Sequence, residues 1–272
     1  MNTAAGVAAN ETGAEFVRTA RRAPPQLAAV LLPLGLAIVV LILWQMIVRL
    51  AGVPEVIMPA PTDILQAMID QQRILLRNAV PTMWESTLGF LLASALGIAI
   101  AVAITYSRVA RLALYPNLVF FQLIPKIALA PLFIVWFGIG MQSRLAIAVF
   151  IAFFPIVIST VSGLTNVDRN MIRLCRSLTG TEWQIFVHVR FPAALPYIFG
   201  GMKVGMTLAI IGVVIGEFIT AQAGLGYLII FATARADTTM AMAAILVLCL
   251  GGVALFGLVG LAERLAERRF GA

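Results

Sequence analysis

The chain is poor in the residue types on which soluble enzymes rely for chemistry. Only 11% of its 272 residues are charged, and it holds two cysteines, one histidine and two lysines. Lys126 follows Pro125 and Lys203 follows Met202, so a phosphate-cradling G-x-x-x-x-G-K-[ST] loop is excluded, and nucleotide use by that route with it. His188 stands alone, and no group of Cys, His and carboxylates has metal-ligand spacing. No G-x-S-x-G nucleophile elbow is present. The expectation is therefore a protein that is not an enzyme, with no catalytic group, cofactor or metal. Cys175 and Cys249 are read as packing residues and not as a disulfide.

What the chain has in excess is apolar length. Hydrophobic residues make up 61%, against about half in an average soluble domain. An apolar helix needs about 20 residues to cross the hydrocarbon core. Six segments qualify, at about 28–49, 86–106, 112–137, 143–163, 193–221 and 240–262, with Pro or Gly interrupting the third and fifth. In lipid their backbone groups must pair internally, so the fold class is all-α, a polytopic membrane protein with six transmembrane helices.

Charge placement orients it. With the N-terminus inside, twelve arginines fall in inner segments and five in outer ones, and both lysines lie within spans. That asymmetry follows the positive-inside rule, and six spans return the C-terminus to the cytoplasm. The net charge of +7 reflects this topology. Nucleic acid is not an expected partner, because the basic residues are dispersed over helix ends. Residues 1–25 form a polar cytoplasmic tail and 26–270 one membrane domain. No cleavable leader is expected, since the apolar run after the tail is too long for a signal-peptide core.

Two stretches outside the spans have structure of their own. Within the outer segment 50–85, a Pro-rich piece ends at Pro61. Thr62-Asp63 then offers a cap for a short amphipathic helix over Ile64–Ile69 near the outer membrane surface. The inner loop, about 164–192, is longer than a connection requires. Asp168 can cap a first short helix that Thr179-Gly180 ends. Thr181 and Gln184 form a capping box for a second, which Pro192 closes. Helices this short are marginal alone, so a membrane surface or another protein has to hold them.

The segment Arg173–Pro192 resembles the cytoplasmic loop signature of binding-protein-dependent ABC importer permeases, E-A-A-x-x-x-G-x(9)-I-x-L-P. With Pro192 as anchor, Phe191 and Val189 take the Leu and Ile positions, Thr179 takes the Gly position, and Arg173-Leu174-Cys175 replaces E-A-A. Arg173 reverses the charge of the motif's Glu, and Gly180 supplies a flexible position one residue late. The run from Pro125 to Gly140, the run from Phe191 to Gly201, and Gly216-Glu217-Phe218 with Gly224-Leu225-Gly226-Tyr227-Leu228 are similar to the sulfonate/taurine/nitrate branch.

The resemblance implies the type I permease fold and a bacterial inner-membrane, multi-pass location. It implies a division of labour among a permease dimer, taken as a homodimer, cytoplasmic ABC ATPase subunits and an outer solute-binding protein. The cargo would be a small anionic organic solute of the sulfonate, taurine or nitrate kind. An ion- or proton-coupled secondary transporter is the alternative reading.

The residues expected to dock the ATPase are Arg173, Leu174, Cys175, Arg176, Leu178, Thr179, Gly180, Trp183, Phe186 and Pro192, with Val187 beside them. Packing on the membrane ends of neighbouring helices is the plainer role for the apolar ones. Lys126 and Glu217 are the pathway candidates, because an ionisable group in lipid needs a lumen or a partner. Snorkelling is the simpler role for Lys126 and Lys203, and a structural brace for Glu217. The glycines at 200, 201, 205, 212 and 216 allow close helix approach, with the subunit interface as a location.

Overall fold

A computed structural model describes residues 26–220 and 222–270. The polar tail expected over 1–25 lies outside the described residues. Every regular element among the described residues is helical. In chain order they are α1 (Gln26–Leu50), α2 (Pro61–Asp70), α3 (Gln72–Tyr106), α4 (Arg108–Gln122), a 3-10 turn (Lys126–Leu129), α5 (Ala130–Phe137) and α6 (Met141–Thr165). There follow α7 (Arg169–Ser177), α8 (Glu182–Ile185) with a π segment (Phe186–Arg190), α9 (Phe191–Thr220), α10 (Leu225–Ala234) and α11 (Thr238–Phe270).

Five helices are long and apolar enough to span a bilayer, and the sixth expected span is a bent pair. Residues 108–122 and 126–137 meet at 94° instead of forming one rod over 112–137. Pro125 is the cause: it cannot donate to the helix ladder, and the α region is disfavoured for a residue that precedes proline, here Ile124.

The second span also differs from expectation. It begins at Gln72, so residues 72–85 of the presumed outer segment already belong to it, and it passes through Pro81. Arg73, Arg77 and Asn78 lower the hydropathy there, but Leu75 is buried and holds that end of the helix in the protein.

Small residues build the centre. α6 packs along α9 more extensively than any other helix pair, with α3 on its other flank. Phe90, Ala148, Ala152, Ile156, Met206 and Val213 form the buried heart of the three. A Cβ added at Gly205 would lie 2.6 Å from the Ile156 side chain, and one at Gly212 would lie 2.7 Å from the Ala148 backbone. The glycines of α9 therefore serve an interface inside this chain, between α9 and α6. Gly200 alone of the five faces open space. Since lipid tails are as apolar as the helix surface, such close contact is what drives helix association.

A second cluster sits at the outer end. Ile64 of α2, Leu75 of α3, Leu225 and Leu228 of α10, and Met240 of α11 are buried together. The short outer helix is thus docked on protein. Its cap also differs from expectation: Ala60 holds the N-cap position, and Asp63 reaches back to accept from the Ala60 N–H at 3.3 Å. α1 touches chiefly α2, and most of its length from Leu31 to Leu43 is exposed, as a lipid-facing helix would be.

Candidate functional site

The inner loop is built as its capping residues require, with two exceptions. Asp168 accepts from the Asn170 N–H at 2.8 Å and starts α7. In the capping box, Thr181 Oγ1 accepts from the Gln184 N–H at 3.3 Å and Gln184 Oε1 accepts from the Thr181 N–H at 2.8 Å. The first exception is the turn after α7. Thr179 carries the left-handed backbone, at φ +58°, while Gly180 is needed for closeness. The Gly180 N–H donates to the Cys175 carbonyl at 2.9 Å, and a Cβ on Gly180 would lie 2.7 Å from that oxygen. A β-branched residue in the left-handed region costs about 1–2 kcal/mol.

The second exception is Pro192, which does not close α8. The helix runs on from Glu182 to Thr220. Proline withholds an N–H from the ladder, and the π segment over Phe186–Arg190 absorbs the mismatch, with the Phe191 N–H reaching Phe186 O. The inner loop is thereby coupled without a break to the glycine-rich helix at the centre of the bundle.

α7 has two unlike faces. Arg169, Arg173 and Arg176 recur at spacings of four and three, while Met171, Leu174 and Leu178 line the other side. Leu174 is 55% exposed, Leu178 73%, and Trp183 at the start of α8 71%. Phe186 instead sits half-buried between Tyr106 and Phe191, with ring centroids 5.8 and 6.0 Å away, so it packs on helix ends of its own chain. Val187 and Cys175 are half-buried too. Arg176 donates to Glu182 at 2.8 Å and ties α7 to α8.

The two pathway candidates fall in different settings. Lys126 lies at the break of the third span, where Nζ donates to Gln122 O at 3.1 Å and sits 5.1 Å from the Phe154 ring centroid. Glu217 is buried in α9. Its carboxylate accepts from Thr82 Oγ1 and from the Gly226 N–H, each at 2.7 Å. Thr82 Oγ1 in turn accepts from the Leu225 N–H at 2.8 Å, and Asn78 Oδ1 accepts from the Gly224 N–H at 2.9 Å. The first N–H groups of α10 are orphan donors, and α3 and α9 satisfy them with three side chains. Gly224 makes this fit, since a Cβ there would lie 2.2 Å from Glu217 Oε1.

Sequence reasoning missed both α10, which at ten residues is too short to read as a span, and Thr82 and Asn78, which are 135 and more positions from their partners. It also missed Glu85. This carboxylate receives Arg144 Nη2 and Nε at 2.6 and 2.7 Å, joining α3 to α6 with both side chains largely buried. Lys203 pairs with Glu263 of α11 where snorkelling was expected.

The comparisons agree with this architecture. Residues 93–270 match the family described as "binding-protein-dependent transport system inner membrane component". The chain is 36% identical over 242 residues to the riboflavin transport system permease protein RibX of Chloroflexus aurantiacus, covering 86% of this chain and 90% of the relative. It is 31% identical over 228 residues to the putative aliphatic sulfonates transport permease protein SsuC of Bacillus subtilis, covering 83% of each. Its fold resembles a chain of the MetNI methionine ABC transporter in an inward-facing conformation, with a TM-score of 0.60 at 20% identity, over 73% of this chain and 97% of that one. The chain belongs to the binding-protein-dependent transport system inner membrane components, and is a multi-pass permease subunit of an ABC importer.

Proposed function

We propose that this subunit forms, with a second copy of itself, the translocation pathway for a small anionic organic solute, and that a separate cytoplasmic ATPase moves it through the inner loop. One observation carries this reading. Leu174, Leu178 and Trp183 are largely exposed on capped helices, α7 and α8, that the positive-inside pattern puts on the cytoplasmic side. Apolar side chains presented in this way on a structured loop suit a groove on a partner. Arg173, Arg176 and the Thr179-Gly180 turn set the orientation of that face. Cys175, Phe186 and Pro192 support it from the permease side.

The mechanism is a rigid-body switch. When the ATPase dimer closes on nucleotide it carries α7 and α8 with it. Because α8 continues into α9, the displacement reaches the α9–α6 seam directly, and the spans tilt to open the pathway outward. Hydrolysis and release reverse the movement. An outer solute-binding protein delivers cargo to the open side.

The cargo class rests on Lys126, the cation held at the break of the third span, and on the sulfonate relative; the riboflavin relative extends the range to larger polar solutes. Glu217 acts as the brace of α10. Removing two apolar anchors tests the docking surface. With the partner ATPase co-expressed, Leu178→Ala/Trp183→Ala should reduce its co-purification at least tenfold while membrane insertion stays at the wild-type level. Undiminished capture would refute the docking assignment.

A further inference from the structure

Beneath α7, on the side away from Leu174 and Leu178, is a cavity of about 320 Å³ lined by Arg111, Arg169, Arg173, Arg176 and Arg190. Its lining contains no carboxylate. Two of the five are partly committed to helix ends: Arg111 Nη2 donates to Thr105 O at 3.0 Å, and Arg190 Nη1 donates to Leu164 O at 3.2 Å. Arg176 has Glu182. Among the described residues, neither Arg169 nor Arg173 has an ion pair or side-chain hydrogen bond, and Arg190 Nε is buried without an acceptor.

Five guanidinium groups around one small cavity repel one another, and a buried N–H without a partner costs free energy. Both are relieved by the same occupant, an anion with several acceptor oxygens. We propose that this cavity binds a phosphate group. Guanidinium forks match phosphate oxygens in pairs, which single-point ammonium groups do not.

The partner ATPase is a poorer candidate for the occupant. Arg169, Arg173 and Arg176 line this cavity of the permease while staying exposed to solvent, and the exposed apolar residues of α7 lie on the opposite side of the helix. The cavity's position instead favours the membrane boundary. It lies between the α3–α4 turn, the end of α6 and α7, where basic pockets between spans receive anionic headgroups. Val109 and Leu112, on the same first turns of α4 as Arg111, are 77% and 70% exposed. A phospholipid diester and free inorganic phosphate share the recognised group.

The test uses the full-length chain in uncharged detergent, titrated separately with short-chain phosphatidylglycerol and with inorganic phosphate. Binding is read by calorimetry. Saturable binding should appear with one of them, weaken as salt rises, and weaken about tenfold for each guanidinium removed in Arg169→Gln and Arg169→Gln/Arg173→Gln. Arg169→Lys/Arg173→Lys keeps the charge and loses the fork, and should fall between wild type and the double Gln variant. This variant also serves if the double Gln protein does not fold. Phosphatidylglycerol binding assigns the site to lipid, and binding of inorganic phosphate alone assigns it to a soluble ligand. Binding of neither overturns the proposal, as does binding that the Gln and Lys replacements leave unchanged. Loss of ATPase capture with undiminished phosphate binding also overturns it, giving the arginines to the partner.

Discussion

Thr82→Val is the sharpest probe of how this bundle is held together. Valine matches threonine in shape and replaces the hydroxyl with a methyl, so packing is nearly preserved. In one step it removes the donor to Glu217 Oε1 and the acceptor of the Leu225 N–H. Thr82 is fully buried and Glu217 nearly so, and water cannot replace either partner without opening the α3–α9 contact. A buried polar group left unpaired costs about 1–3 kcal/mol, so two of them cost about 2–6 kcal/mol. At roughly 2–4 °C per kcal/mol for a chain of this size, the melting temperature should fall by roughly 4–24 °C.

Thermal unfolding of the full-length chain in nanodiscs, followed by circular dichroism and intrinsic fluorescence, measures it. Thr87→Val is the control: Thr87 also lies in α3, but its hydroxyl only back-bonds to Met83 O at 2.8 Å, and its loss should move the transition by less than about 2 °C. If Thr82→Val melted within a degree of the control, the capping of α10 by α3 and α9 would not be what fixes that helix.

Arg144→Met should destabilise by about 3–5 kcal/mol, since it strands the Glu85 carboxylate, and Glu85→Leu/Arg144→Met should recover most of that loss in the same melting assay. Thr179→Gly should raise stability by about 1 kcal/mol by relieving the left-handed strain after α7, visible as slower proteolysis within the inner loop.

The sequence was most legible where a side chain caps its own helix end. Asp168, Thr181 and Gln184 act within three residues of their targets, and each caps as the pattern requires. Apolar length placed the centres of five spans for the same reason. The bend at Pro125 was half visible: the proline marks an interruption, but its angle depends on what α5 packs against. Features joined across the chain were illegible. Nothing near Glu217 announces Thr82, and nothing near Glu85 announces Arg144, 59 positions later. The turn after α7 misled because glycine is the usual left-handed residue, whereas here the steric demand at Gly180, opposite Cys175 O, is the stronger one and Thr179 takes the strained angle.

The central claim is that the chain is a conduit worked from the cytoplasmic side, with no energy source of its own. Reconstitution into liposomes tests it directly, with an outer solute-binding protein and labelled solute outside and ATP within. Uptake above equilibrium should occur only when the ATPase subunits are present, and collapsing the proton gradient should not diminish it. Accumulation by the permease alone, driven by an ion gradient without nucleotide, would contradict the account.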